Sequence, residues 1–143
     1  MKKSLLFVLL ILGLVLAACG GGTETAVPDP AANLDEVVLN LAPSVDVATV
    51  AAIKDRDDVF LIDVREQWEY DEGHIPNITL IPMNEIPARL NEIPTDKEVI
   101  VTCRSGNRSG QVTEFLRQQG FTNVHNMEGG ILAWQQAGLP VDR

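Results

Sequence analysis

Residues 98–120 carry the pattern that most constrains this chain, because an apolar run, a polar loop and a helical segment follow one another directly. The short run at 98–102 is typical of a buried strand. From Ser109 onward the apolar residues recur at helical spacing, and Gly120 ends the segment. The sequence therefore predicts a strand, a loop and a helix, with Cys103 at the carboxyl end of the strand.

The loop at 103–109 has the composition of an anion-binding site around a reactive thiol. A helix amino terminus offers unpaired N–H groups and the positive end of a dipole, which both favour a thiolate and a bound anion. Gly106 lets the backbone curl, while Arg104 and Arg108 supply charge and forked donors. We therefore expect Cys103 to be the nucleophile; the alternative is a buried, inert cysteine that ends the strand.

Short apolar runs alternate with helical segments in the remaining sequence, which predicts an α/β domain with a mainly parallel sheet. Trp134 is expected in the core and Trp68 at a partly buried packing position. Ligands usually bind beyond the carboxyl ends of such strands, where Cys103 falls. The strands are expected at 59–62, 79–81, 98–102 and 123–126, and the helices at 46–53, 66–72, 84–90, 109–119 and around Trp134.

The first 18 residues resemble a bacterial lipoprotein signal peptide, with an ordinary secretory signal as the alternative. Lys2 and Lys3 precede an apolar run that ends in two alanines and Cys19. The run is shorter than the roughly 20 residues that a membrane span needs. Cleavage would leave Cys19 to be lipidated, and the protein would be extracytoplasmic, anchored to the cell membrane or outer membrane. Residues 19–43 are expected to be a flexible tether and 44–143 the domain.

Charge and histidine content exclude several classes of function. The chain has 11 Lys and Arg against 20 Asp and Glu, a formal net charge of −9, and no basic stripe, so no nucleic-acid partner is expected. The two histidines lie far apart, without the spacing of zinc ligands, so we expect no metal and no cofactor. With Cys19 acylated, Cys103 has no partner for an intramolecular disulfide.

Five motifs lie within 44–143: DVRE at 63–66, EGHIP at 72–76, CRSGNRS at 103–109, EGGI at 128–131 with Trp134, and GLPV at 138–141. Together they resemble a single-domain rhodanese. The resemblance implies a five-stranded, mainly parallel sheet flanked by helices on both faces. It also implies sulfurtransferase chemistry, in which Cys103 takes sulfane sulfur from a small anionic donor such as thiosulfate, holds it as a persulfide and passes it to cyanide, a thiol or a protein acceptor.

The resemblance also assigns roles within the site. A persulfide is an anion, which the N–H groups of the loop would stabilise, and an ionised Cys103 needs no general base. His74 is expected in a turn rather than as a base, and Asn77, where the family usually has glycine, tolerates a left-handed turn. Asp63, Arg65 and Glu72 are expected to support the site. The donor is expected to contact Arg104, Ser105, Gly106, Asn107, Arg108 and Ser109.

Three other functions are compatible with parts of this sequence. Four residues separate Cys103 from Arg108, one fewer than in the related cysteine phosphatases, so the loop suits sulfur better than a phosphoryl group and disfavours a phosphatase or arsenate reductase. A non-enzymatic module that carries sulfur to, or binds, a protein partner is the main alternative, although inert members usually lack the cysteine or have a degraded loop. A redox sensor would need a second, resolving cysteine nearby.

Overall fold

A computed structural model describes residues 38–143, which form a five-stranded sheet with helices on both of its faces. The spatial order of the strands is β1-β5-β4-β2-β3, and all four pairings are parallel. The strands are β1 (Ser44–Val45), β2 (Val59–Asp63), β3 (Thr79–Leu80), β4 (Glu98–Thr102) and β5 (Val124–Met127), and the helices are α1 (Val47–Ile53), α2 (Gln67–Glu72), α3 (Asn107–Gln118) and α4 (Gly130–Gln136).

Most of the elements expected from the sequence are confirmed to within two residues, but two differ. The strand β1 was not expected; it has only two residues, which pair with Asn126 and Met127 of β5. The helix expected at 84–90 is wrong, because this segment forms two 3₁₀ turns, Ile86–Ala88 and Leu90–Glu92. Pro87 disfavours the α-helical conformation in the residue before it, which accounts for the short turns.

The core lies in two layers because side chains of each strand alternate between the faces of the sheet. Ile100 of β4 points into the layer that contains the fully buried Trp134 of α4. Its neighbours Val99 and Val101 point into the other layer, against Leu116 of α3. A strand covered on both sides has no polar face, which explains the continuous apolar run at 98–102.

The segment before β1 also packs on the domain. Leu39 and Leu41 contact the core layer under α1 and α4. The ring of His125 in β5 lies 2.7 Å from the carbonyl oxygen of Ala42 and 2.6 Å from a carboxylate oxygen of Glu98. Residues 38–43 are therefore fixed against the sheet.

The segment assigned to a signal peptide, with Cys19, lies outside the described residues. Within 38–143 no helix is long and apolar enough to cross a membrane.

The register in which the strands pair places several polar residues at one edge of the sheet. Asp63, the last residue of β2, lies opposite Thr102, the last residue of β4, and Val101 lies opposite Asn126 of β5. The residues that follow these strands therefore converge around Cys103, at the carboxyl edge where ligands of parallel sheets bind.

Candidate active site

The sulfur of Cys103 lies inside a ring of hydrogen-bond donors that the loop provides. The backbone N–H of Gly106 donates to Sγ at 3.1 Å, and the hydroxyl of Ser109, in the first turn of α3, lies 3.3 Å from it. The same hydroxyl donates to Oδ1 of Asn126 at 2.6 Å. Because Ser109 has one hydroxyl hydrogen, the sulfur and Asn126 share it. Sequence reasoning did not find Asn126, whose position in the site depends on strand pairing.

These donors change the ionisation of the thiol. Burial raises the pKa of Cys103, which is 1% exposed, but hydrogen bonds from the Ser109 side chain and from the backbone N–H groups of Ser109, Ser105 and Gly106 outweigh burial. The pKa of Cys103 therefore lies below its ordinary value. A larger fraction of the residue is a thiolate at neutral pH, and the thiolate is the form that reacts.

Two glycines allow the loop to close tightly around the sulfur. Gly106 has a φ of 92°, in the left-handed region where glycine carries no penalty. Gly130, with a φ of 56°, lies against the loop from outside, and a Cβ there would collide with the carbonyl oxygen of Cys103 and the backbone of Arg104. Glycine at 130 therefore allows α4 to approach the loop backbone directly.

Arg108, which sequence reasoning assigned to substrate, is bound to Glu69 in α2. Its two terminal nitrogens donate to the two carboxylate oxygens of Glu69, each at 2.7 Å. The pairing lowers the pKa of Glu69, which is buried, and raises that of Arg108. Sequence reasoning missed Glu69; the available signal was its spacing from Glu66, typical of a capping box, which α2 does form.

Asp63 and Arg65 form a buried ion pair below this site. Their side chains are 1% and 5% exposed, and Nη2 of Arg65 lies 2.7 Å from Oδ2 of Asp63. The guanidinium also donates to the carbonyl oxygens of Glu69 at 3.0 Å and Gly73 at 2.8 Å. Arg65 thus ties α2 and the glycine that follows it to the edge of the sheet, and all three nitrogens of its guanidinium are bonded to the protein.

The remaining predicted residues lie around the loop with different roles. The side chains of Ser105 and Asn107 are exposed, and Asn107 accepts a hydrogen bond from Gln111 within α3. His74 stacks on Tyr70 with 3.7 Å between ring centroids and contacts the Tyr70 carbonyl oxygen, so it belongs to the turn after α2. Asn77 has a φ of 66°, which confirms the left-handed turn expected there.

An open pocket of about 470 Å³ lies beside the loop. Trp68 is 63% exposed at this pocket, so the expectation of a partly buried Trp68 is wrong. Glu72 and Arg104 are both exposed there. The pocket is lined by Arg65, Trp68, Glu69, Glu72, Gly73, Arg104, Ile131, Leu132 and Gln135. Within 38–143 no group of three or more His, Cys, Asp or Glu side chains is placed to hold a metal.

Comparison with known proteins identifies the family to which this domain belongs. The sequence model of the family described as "Rhodanese-like domain" matches residues 46–137. A protein named "Sulfurtransferase" from Allochromatium vinosum is 46% identical over 89 residues, which are 62% of this chain and 83% of that protein. The thiosulfate sulfurtransferase GlpE of Pseudoalteromonas translucida is 31% identical over 93 residues, which are 65% of this chain and 89% of GlpE.

A solved structure shows the same architecture. The crystal structure of a rhodanese-related protein from Thermoplasma volcanium superimposes with a TM-score of 0.65 at 35% sequence identity, covering 71% of this chain and 98% of that one. The five-stranded parallel sheet flanked by helices, expected from the sequence, is confirmed.

Proposed function

The chain belongs to the rhodanese-like family and is similar to proteins named as sulfurtransferases, and we propose that it is a sulfurtransferase carrying sulfane sulfur as a persulfide on Cys103. The observation that carries this proposal is the ring of donors at Sγ, with the Gly106 N–H at 3.1 Å and the Ser109 hydroxyl at 3.3 Å. Donors that stabilise a thiolate also stabilise the terminal sulfur of a persulfide, which is anionic as well.

The loading step is a displacement at sulfur. The Cys103 thiolate attacks the outer sulfur of thiosulfate, the S–S bond of the donor breaks, and sulfite leaves with the bonding electron pair. Arg104, exposed beside the thiol, binds the anionic donor, while the backbone N–H groups of the loop hold the sulfur being transferred. In the second step cyanide or a thiolate attacks the outer sulfur, and the electron pair of the broken S–S bond returns to Sγ.

The experiment is mass spectrometry of the purified full chain after incubation with thiosulfate, beside a Cys103→Ser variant. We expect a gain of one sulfur on Cys103, absent in the variant, which cyanide or a thiol then removes. The absence of sulfur gain on folded, reduced protein, with thiosulfate and with other persulfide donors, would contradict the proposal. The non-enzymatic protein-binding module would then be favoured.

We also propose that Cys19 is lipidated and anchors the protein outside the cytoplasm. The support is the run of apolar residues followed by two alanines and a cysteine, which resembles a lipoprotein signal. In a bacterial host, a Cys19→Ser variant is expected to leave the membrane fraction, and mass spectrometry of the membrane form should show a diacylglyceryl group on Cys19. Equal membrane retention of both forms would contradict lipid anchoring.

A further inference from the structure

The pocket beside the thiol contains two charged side chains of opposite sign that the protein leaves unpaired. Arg65 is neutralised by Asp63, and Glu69 is bound to Arg108. Glu72 and Arg104 are exposed in the same pocket, and neither side chain has a hydrogen-bond partner or an ion pair within residues 38–143. A pocket with one free cation and one free anion is complementary to a ligand that carries both charges.

Apolar side chains line the same pocket as these two charged groups. Trp68 is 63% exposed and Leu132 39% exposed, and both line the pocket, while Ile131 is buried behind them. Exposed aromatic and aliphatic side chains cover the nonpolar body of a bound ligand. The volume of about 470 Å³ is suited to a small molecule rather than to a folded partner.

The pocket lies where the second step of the proposed reaction, the transfer of sulfur to the acceptor, would take place. Arg104 directly follows Cys103, and its carbonyl oxygen accepts a hydrogen bond from the N–H of Leu132 at 3.1 Å. The pocket therefore opens at the loop that would hold the persulfide. Sulfite leaves before the acceptor arrives, so Arg104 is free to serve first the donor and then the acceptor.

We propose that the sulfur acceptor is a small zwitterionic thiol, an amino acid or short peptide, with its carboxylate on Arg104 and its ammonium on Glu72. Trp68 and Leu132 cover its nonpolar part. This inference rests on the proposed sulfurtransferase function. The acceptor thiolate attacks the outer sulfur of the Cys103 persulfide, the S–S bond to Sγ breaks, its electron pair returns to Sγ, and the product is the persulfide of the acceptor.

Four thiols test the contributions of the acceptor's carboxylate and ammonium groups separately. Cysteine carries both, N-acetylcysteine the carboxylate alone, cysteamine the ammonium alone, and 2-mercaptoethanol neither. The rate at which each discharges the preloaded Cys103 persulfide is measured by rapid quench and mass spectrometry. The full chain is compared with Glu72→Gln, Arg104→Gln and the control Glu114→Gln, which removes a charge from α3 outside the pocket.

The two pocket variants are expected to change selectivity, measured as the rate ratio to 2-mercaptoethanol in the same protein, so that general effects on loading or on thiol reactivity cancel. Glu72→Gln should lower the ratios for cysteine and cysteamine by about two- to fivefold, the size expected for an exposed ion pair. Arg104→Gln should do the same for cysteine and N-acetylcysteine. Glu114→Gln should leave all ratios unchanged.

The experiment distinguishes failure of the acceptor site from failure of the proposed sulfurtransferase function. If Cys103 loads sulfur but every ratio is the same in all four proteins, the zwitterion site is overturned, while the sulfurtransferase function stands and a protein thiol becomes the favoured acceptor. If Cys103 never loads sulfur, both the function and the acceptor site are overturned.

Discussion

The carboxylate of Glu69 binds the guanidinium of Arg108 through two hydrogen bonds of 2.7 Å, which joins α2 to α3 across the mouth of the thiol loop. A bidentate pair fixes the plane of the guanidinium as well as its position. It also neutralises one of the two positive charges of the loop. Arg104 is therefore the loop arginine whose charge stays available to an anionic donor.

The pairing of Glu69 and Arg108 predicts an energetic coupling between α2 and α3. In a double-mutant cycle of Glu69→Gln and Arg108→Gln, followed by urea denaturation, we expect a coupling of about 1–2 kcal/mol in the free energy of unfolding. Either single change leaves a partly buried charge without its partner, whereas the double change removes both charges. Free energies that add to within about 0.3 kcal/mol would show that the pair does not couple the helices.

Cys103 should react at lower pH than an ordinary thiol. Its pKa is lowered, so the rate of alkylation by iodoacetamide should reach its plateau below the range of a free cysteine, whose pKa is about 8.5. Ser109→Ala removes the side-chain donor that opposes burial, so the midpoint of its pH profile should move upward. Identical midpoints in the two proteins would refute a role for the Ser109 hydroxyl in ionising the thiol.

Gly130→Ala should disrupt the loop through collision, with Gly138→Ala as the matched control. Both glycines have a left-handed backbone, at φ of 56° and 70°, so both substitutions carry the same kind of backbone cost. Only at Gly130 would the new Cβ meet the loop backbone; at Gly138 it meets open space. We expect Gly130→Ala to lose persulfide formation and at least about 1 kcal/mol more stability than the control. Equal loss in both would mean that the α4–loop contact is unimportant.

Asp63→Ala should be far more destabilising than Asp58→Ala, although each aspartate binds an arginine two residues away in sequence. Removing Asp63 leaves the charge of Arg65 buried, at a cost of about 3 kcal/mol in the free energy of unfolding. Asp58 is 46% exposed and its pair with Arg56 is screened by solvent, so the loss there should be much smaller. Similar melting behaviour of the two variants would contradict the structural role given to the buried pair.

Local patterns in the sequence predicted most of the fold and the centre of the site. Strands β2 and β4 are buried on both faces and therefore appear as continuous apolar runs. Cys103 and its loop are contiguous in sequence, so they can be singled out as a candidate site without knowledge of the fold. The two residues of β1 are too few to form a pattern, and Pro87 gave the segment around it short turns in place of a helix.

The parts of the site that sequence reasoning missed are those assembled by tertiary contacts. Glu69 meets Arg108 across 39 positions in sequence, and Asn126 meets Ser109 across 17. Both contacts depend on how α2 and β5 pack beside β4, which no local spacing encodes. The exposure of Trp68 is missed for the same reason, since helical periodicity does not reveal which face a neighbour will cover.

The contact of α4 with the loop determines which side of the loop backbone faces the sulfur. The N–H groups of Ile131 and Leu132 bind the carbonyl oxygens of Cys103 and Arg104 at 2.8 and 3.1 Å. In a planar trans peptide the N–H points away from the carbonyl oxygen. Holding the Arg104 carbonyl outward therefore turns the N–H of Ser105 inward, and this N–H is one of the donors to the sulfur. Helix α4 thus sets the electrostatic polarity of the thiol site, although none of its side chains needs to touch the sulfur.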